Sequence, residues 1–264
     1  MYWEYKTINY TIDNSVAVVE LNRPEVSNAF DTLTYKEVRN VFETASNDSN
    51  VRAIILTGKG KNFSAGGDIH SMKKSIENQT YIEEETVTLT GEMAMAIKKC
   101  SKPTIAMING AAAGAGAGCA LACDFRIMAE NSRLIFAFIN LGLTGDTCSF
   151  YSLSRQIGTA KATELMLLGA PVDAHDCEKL GLTYKVVSPE SLESETHRFA
   201  KRLANGPTAA YAMQKAALNE VFYYDMEKWI NGEAKGMSRA SRSEDFAIAV
   251  NAFLKKEKPR FSGK

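Results

Sequence analysis

The chain has 264 residues, 45% hydrophobic and 23% charged, enough to bury a sizeable core in one large domain or two small ones. Its 31 basic residues balance its 31 acidic ones, giving a formal charge of +0. That balance excludes a global electrostatic attraction to nucleic acid or to an anionic membrane.

In chain order, alternating apolar residues predict a strand pair, Ile8–Asp13 and Val16–Leu21, joined by Asn14 and Ser15. A helix follows over 31–46, capped by Asp31 or Thr32. A buried strand is expected at 53–58, then a mostly helical, interrupted stretch over 69–98. Next come a strand at 104–108, a helix at 114–122 and a strand at 124–128. Helices over 147–157 and 159–168 precede a last strand, Leu182–Val187. From Ser191 onward only helices are expected, over 191–204, 207–220, 225–240 and 243–256. Pro207 fits a first helical position and Ser243 a cap. The α/β portion therefore gives way to a helical tail, with the division placed at 1–200 and 201–264.

The five Cys, at 100, 119, 123, 148 and 177, lack metal-ligand spacing and have an odd count, so they read as reduced thiols. His70, His175 and His197 are scattered and form neither a metal set nor a triad, and no metal is expected. Residues 1–6 show no signal-peptide pattern, and no run approaches the roughly 18 apolar residues of a membrane span. A cytoplasmic location with no membrane or nucleic-acid partner is the expectation.

Two stretches carry chemistry. Asn109-Gly-Ala-Ala-Ala-Gly-Ala-Gly-Ala-Gly-Cys-Ala-Leu-Ala-Cys-Asp124 follows the 104–108 strand. Its Gly and Ala leave backbone N–H groups open to a ligand at a helix start, where a developing negative oxygen is stabilised. The same composition also serves plain tight helix packing. Lys59-Gly-Lys-Asn-Phe63-Ser-Ala-Gly-Gly-Asp68-Ile69 repeats the design: strand, small-residue turn, then Asp68 as a helix cap.

Together with Leu21-Asn-Arg-Pro-Glu-Val-Ser-Asn-Ala29 and the ending Phe253-Leu-Lys-Lys-Glu-Lys-Pro-Arg-Phe261, these motifs resemble the crotonase superfamily of enoyl-CoA hydratases and isomerases. The resemblance spans nearly the whole chain. It implies a spiral of ββα repeats with a C-terminal helical region that assembles trimers or dimers of trimers. It also implies an acyl-CoA substrate, with coenzyme A as part of that substrate and no separate cofactor. The expected chemistry is a thioester enolate held by two backbone N–H groups, here those of Gly67 and Ala115. Val26, Ser27, Asn28, Ala65, Asp68 and Ile69 are the expected CoA contacts. Phe261 and Lys264 are further candidates from the tail, of this chain or a neighbour.

The acid/base positions depart from the family pattern. The two Glu of the hydratases match Gly118 and Phe138, and neither can move a proton. A carboxylate appears further on in Gly142-Leu-Thr-Gly-Asp146, resembling a Gly-Leu-x-Pro-Asp pattern of isomerase-type members in which the Asp is the base. Gly145 stands here for the Pro. One carboxylate suffices to shift a proton between C2 and C4, so isomerisation is the leading expectation. The alternatives are another crotonase reaction, namely atypical hydration, ring-epoxide isomerisation, thioester hydrolysis or decarboxylation, and a binding protein without catalysis. Asp146 reads either as that base or as a helix cap. Glu92, on the 81–99 helix, is the reserve base, whereas Glu83, Glu84 and Glu85 read as a solvated face.

Overall fold

In the computed structural model, which describes residues 4–264, strand β1 (Ile8–Asp13) pairs antiparallel with β2 (Val16–Leu21). Asn14 and Ser15 turn the chain with φ of 49° and 63°, the two positive values a two-residue hairpin of matching twist requires. Residues 1–3, part of the stretch read for a targeting signal, lie outside the described residues.

Helix α1 (Thr32–Asn47) starts at Asp31, whose side chain accepts from the Thr34 N–H, so Asp31 is the cap rather than Thr32. It returns the chain to β3 (Ala53–Gly58), parallel to β2 in the register Val16↔Ala53. Every residue of β3 is buried, which explains its unbroken apolar run. Strands β4 (Thr104–Ile108), β6 (Phe125–Ala129) and β9 (Lys185–Val187) extend the sheet in parallel, in the order β1-β2-β3-β4-β6-β9. The 69–98 stretch divides into α2 (Ile69–Glu77) and α3 (Glu84–Lys99).

A second sheet escaped the sequence reading. It holds β5 (Ala111–Ala113), β7 (Arg133–Ile135) and β8 (Pro171–Asp173), three residues each. Two further extended segments join its edge: Ser64 bridges Ala112, and Phe30 bridges Gly67. Successive turns therefore lay one strand in the large sheet, one in the small sheet, and then a helix. β4, β5 and α4 (Ala115–Ala122) form one such turn. This is the crotonase-like spiral of ββα repeats.

The main core lies between the two sheets and their helices, around Phe30, Phe42, Leu56, Met93, Phe136 and Tyr151. A smaller cluster fills the outer face of the large sheet beneath α8 (Leu192–Ala204). The expected division at 200/201 falls inside this helix. Earlier in the chain than α8 come α5 (Ser149–Ile157), α6 (Thr159–Leu168) and the short α7 (Ala174–Lys179). The chain ends in α9 (Thr208–Phe222), α10 (Met226–Ala240) and α11 (Glu244–Lys255). Pro207 stands just before α9, and Ser243 caps α11 by accepting from the Phe246 N–H. The tail lies on its own chain: α10 packs along α3, and α11 against α2. Where α3 packs on α10, a Cβ on Gly91 would stand 2.5 Å from Ile230. All five Cys are buried free thiols.

Among the described residues, no helix is long and apolar enough to cross a membrane, and no cluster of three or more His, Cys, Asp or Glu could hold a metal ion.

Candidate active site

The spiral brings the two small-residue turns into contact. The chain leaves β3, runs through Ser64–Gly67 at the edge of the small sheet, and enters α2 at Asp68. One repeat later it leaves β4, forms β5, and enters α4 at Gly114. Gly66 (φ 85°) and Gly114 (φ 49°) take backbone conformations that side chains rarely adopt. A Cβ on Gly66 would stand 2.7 Å from the Ala113 carbonyl oxygen, and one on Gly114 would stand 3.8 Å from Gly66 Cα. At Gly66 both the φ and the Ala113 backbone require glycine, whereas at Gly114 the φ alone does, because its neighbours stand at ordinary contact distance.

Two N–H groups beside this contact have no hydrogen-bond partner among the described residues. Ala115 is the first residue of α4, where no carbonyl lies one turn earlier to accept from it. Gly67 sits between Gly66, whose carbonyl accepts from Phe30, and Asp68, whose N–H donates to Phe30, while its own N–H donates to none of the described residues. Neighbouring hydrogen bonds hold both segments in place: the Ala113 N–H donates to the Ser64 carbonyl and the Gly114 N–H to the Ile135 carbonyl, just before Ala115.

A cavity of about 840 Å³ opens beside these turns. Its buried wall includes Phe30, Tyr35, Val87, Thr90, Leu143 and Met237, and its exposed rim includes Glu25, Ala65, His70 and Glu83. Val26, Ser27, Gly67, Asp68, Ile69 and Asp146 also line it. Thus Val26, Ser27, Ala65, Asp68 and Ile69 all line this one cavity. Asn28 does not face the cavity. It is 1% exposed, accepts from the Arg23 N–H, and donates to the carbonyls of Lys59 and Asn62, so it staples the turn that presents Ser27. Phe261 and Lys264 lie away from the cavity of this chain, where the C-terminus folds back onto Asp245 at the start of α11. Phe253 of α11 reaches the rim instead.

Five carboxylates line the cavity: Glu25, Asp31, Asp68, Glu83 and Asp146. Asp31 caps α1 and pairs with Arg23 at 3.2 Å. Asp68 caps α2 through the N–H groups of His70 and Ser71 and pairs with Arg23 at 3.4 Å. Glu25 and Glu83 are exposed. Asp146 alone is partly buried with neither a basic partner nor a helix to cap. Its side chain accepts only from the Thr147 hydroxyl at 2.8 Å, and α5 begins three residues later without a side-chain cap. The backbone carbonyl of Asp146, not its carboxylate, accepts from the Ser149 N–H. Burial pushes the Asp146 carboxyl up to about 6, and the Thr147 hydroxyl opposes that rise.

The neighbours of Asp146 explain the empty hydratase positions. A Cβ on Gly118 would stand 2.7 Å from Thr147 Cβ and 2.8 Å from Ser149 Oγ, so the bend carrying Asp146 occupies the space a larger residue would need. The Phe138 ring lies 3.6 Å from where a Gly114 Cβ would be, placing an apolar face against the Gly114 turn. Glu92 is paired with Arg39 at 2.5 Å and does not line the cavity, which removes it as a reserve base.

Tyr35 went unnoticed in the sequence. It stacks on Phe30 with ring centroids 5.3 Å apart, and its hydroxyl lies 3.9 Å from where a Gly67 Cβ would stand. Burial and then the Asp146 charge push its phenol well above its usual value, so it stays protonated beside Asp146. The available signal was a Tyr on the apolar stripe of α1, among Thr34, Val38 and Val41.

The family model for enoyl-CoA hydratase/isomerase matches residues 11–264. The chain is 33% identical, over 99% of its length and 100% of the relative's, to a trans-2-decenoyl-[acyl-carrier-protein] isomerase of Streptococcus mutans. It is 34% identical, over 98% of its length and 99% of the relative's, to a probable enoyl-CoA hydratase of Rhodobacter capsulatus. The solved structure of an enoyl-CoA hydratase from Mycobacterium avium subsp. paratuberculosis superposes with a TM-score of 0.89 at 26% identity, covering 98% of this chain and 100% of that one. With contacting glycine turns, unpaired N–H groups beside a deep cavity, and matches over almost its whole length, the chain belongs to the enoyl-CoA hydratase/isomerase family.

Proposed function

We propose that this enzyme isomerises enoyl thioesters, with Asp146 as a single proton carrier. The observation that carries this reading is that Asp146 is the one cavity carboxylate free of a cap, an ion pair and bulk solvent. With a 3-enoyl substrate, the Asp146 carboxylate takes a proton from C2, and the electron pair moves onto the thioester oxygen. The N–H groups of Gly67 and Ala115 stabilise that oxyanion, and a fixed donor of this kind typically contributes about 2.7–4 kcal/mol. The Asp146 carboxyl then returns the proton at C4, and the double bond comes to rest between C2 and C3. A carboxyl that titrates near 6 both takes and returns a proton readily at neutral pH. Hydration requires a held and split water, and Gly118 and Phe138 offer no second carboxylate for it.

Val26, Ser27, Ala65, Asp68 and Ile69 form the side along which the thioester carrier would lie. The family name gives that carrier as coenzyme A, and the Streptococcus mutans relative is named for acyl carrier protein. Both present the acyl group on a pantetheine thiol, so this wall suits either.

The test is product analysis with 3-enoyl and 2-enoyl thioesters of several chain lengths on each carrier. The expected result is interconversion of the two isomers without a 3-hydroxyacyl product. Rapid hydration without isomerisation would contradict the proposal, and binding without turnover would support the non-catalytic alternative.

A further inference from the structure

The bend that carries Asp146 is strained and needs a clamp. Thr147 and Cys148 have φ of 55° and 52°, two consecutive non-glycine residues in the left-handed region. Such a conformation persists only where its surroundings determine it. Two helices supply those surroundings. The Thr147 N–H donates to Thr90 Oγ1 of α3 at 3.2 Å, and the Cys148 N–H donates to Glu233 Oε2 of α10 at 2.9 Å.

Glu233 is itself held. Trp229 Nε1, one turn earlier on α10, donates to Glu233 Oε1 at 2.9 Å, and the Trp229 ring stacks on Phe150 with centroids 5.9 Å apart. The same face of α10 carries Ile230, which fills the notch at Gly91, and Met237, which walls the cavity. No basic residue pairs with Glu233 among the described residues. Burial pushes its carboxyl up to about 8, and the Asp146 charge adds to that rise, so at neutral pH it accepts its two hydrogen bonds without placing a second negative charge behind the base.

We propose that Glu233 is a positioning residue, which fixes the Asp146 carboxyl at the cavity by holding the Cys148 N–H from the tail helix. The catalytic part of this assignment rests on Asp146 acting as the base; the clamp itself does not. A misplacement of about 1 Å at a reacting group can cost a hundredfold in rate, so a released bend should appear in turnover rather than in binding.

The test uses the full chain with Glu233→Leu, Glu233→Gln and Trp229→Phe. Two readouts are taken: amide hydrogen exchange at Cys148, and steady-state isomerisation kinetics. Glu233→Leu should speed Cys148 exchange and lower kcat at least about tenfold with KM within about twofold. Glu233→Gln keeps an acceptor for Cys148 and should retain kcat within about threefold. Trp229→Phe keeps the stacking, loses the donor that orients the carboxyl, and should fall between them, giving a readout even where Glu233→Leu fails to fold. A parent enzyme that isomerises nothing removes the base assignment but not the clamp, because Cys148 exchange is measured without substrate. Unchanged Cys148 protection in folded Glu233→Leu or Trp229→Phe, or parental kcat in folded Glu233→Leu, would overturn the proposal.

Discussion

With Asp146 as the proposed base, its titration should move stability and activity with pH in opposite directions. Its carboxyl rises from 3.8 to about 6 on folding, chiefly through burial. The folded state therefore holds this proton more tightly than the unfolded chain does. The stability that the neutral form contributes is full below about pH 4 and is lost as pH rises through about 6. Glu233, raised to about 8 by burial, continues the loss at higher pH. In the proposed role Asp146 must be ionised to take the proton, so kcat should rise with pH through about 6. Plotted against pH, the melting temperature of Asp146→Asn should lose the share of the fall between about 4 and 6 and keep the share from Glu233, which runs up to about 8, while its isomerisation is lost. A variant that melts earlier than the parent at pH 8 would show that Asp146 has a structural role. Gly118 gives a second residue-scale prediction. Gly118→Glu restores a carboxylate at the first hydratase position, but its Cβ would crowd Thr147 and Ser149. It should cost about 1–3 kcal/mol of stability and produce no 3-hydroxyacyl thioester. A stable, hydrating Gly118→Glu enzyme would contradict the packing account.

At the scale of elements, α4 separates backbone chemistry from side-chain chemistry. All eight of its residues are buried, and Ala115 stands at its first position. Proline fits that position because the N–H it lacks has no helical partner. Ala115→Pro should therefore fold with near-parental circular dichroism, yet lose about 10²–10³ in turnover if that N–H binds the oxyanion. Ala115→Gly should keep most of the activity. Folded, fully active Ala115→Pro would remove Ala115 from the oxyanion site. The long elements were legible because their patterns are local: the β1–β2 hairpin from alternation, β3 from its apolar run, and α9 to α11 from helical spacing. The small sheet was not legible. Ala111–Ala113 and Arg133–Ile135 are three-residue strands whose pairing depends on neighbours brought together by the spiral. Whether Asp146 caps a helix depended on the start of α5, which lies two residues later than the 147 expected. Glu233 was overlooked in a helix placed correctly. Its signal was a carboxylate three residues after Ile230 and four before Met237, on the apolar face of α10.

At the scale of the molecule, the tail has two faces. The inner face of α10 closes the cavity through Met237 and reaches the Asp146 bend through Glu233. The outer face of α9 leaves Leu218, Val221 and Phe222 exposed by 43%, 63% and 56%, at the i, i+3, i+4 spacing of one stripe. An apolar stripe of this kind is the usual mark of a subunit contact. We expect light scattering to give a trimer or a multiple of one, and Val221→Asp with Phe222→Asp to shift it toward the monomer. A parent chain that stays monomeric over a wide concentration range would refute that expectation.

The central claim is that Asp146 carries the proton. The most direct measurement follows deuterium from solvent into a 3-enoyl thioester with the parent and with Asp146→Asn. Thioester affinity is recorded in parallel by calorimetry. The account predicts rapid exchange in the parent, loss of exchange in Asp146→Asn, and similar affinity in both. Exchange at the parental rate in Asp146→Asn would contradict it and send the search for a base elsewhere in the cavity.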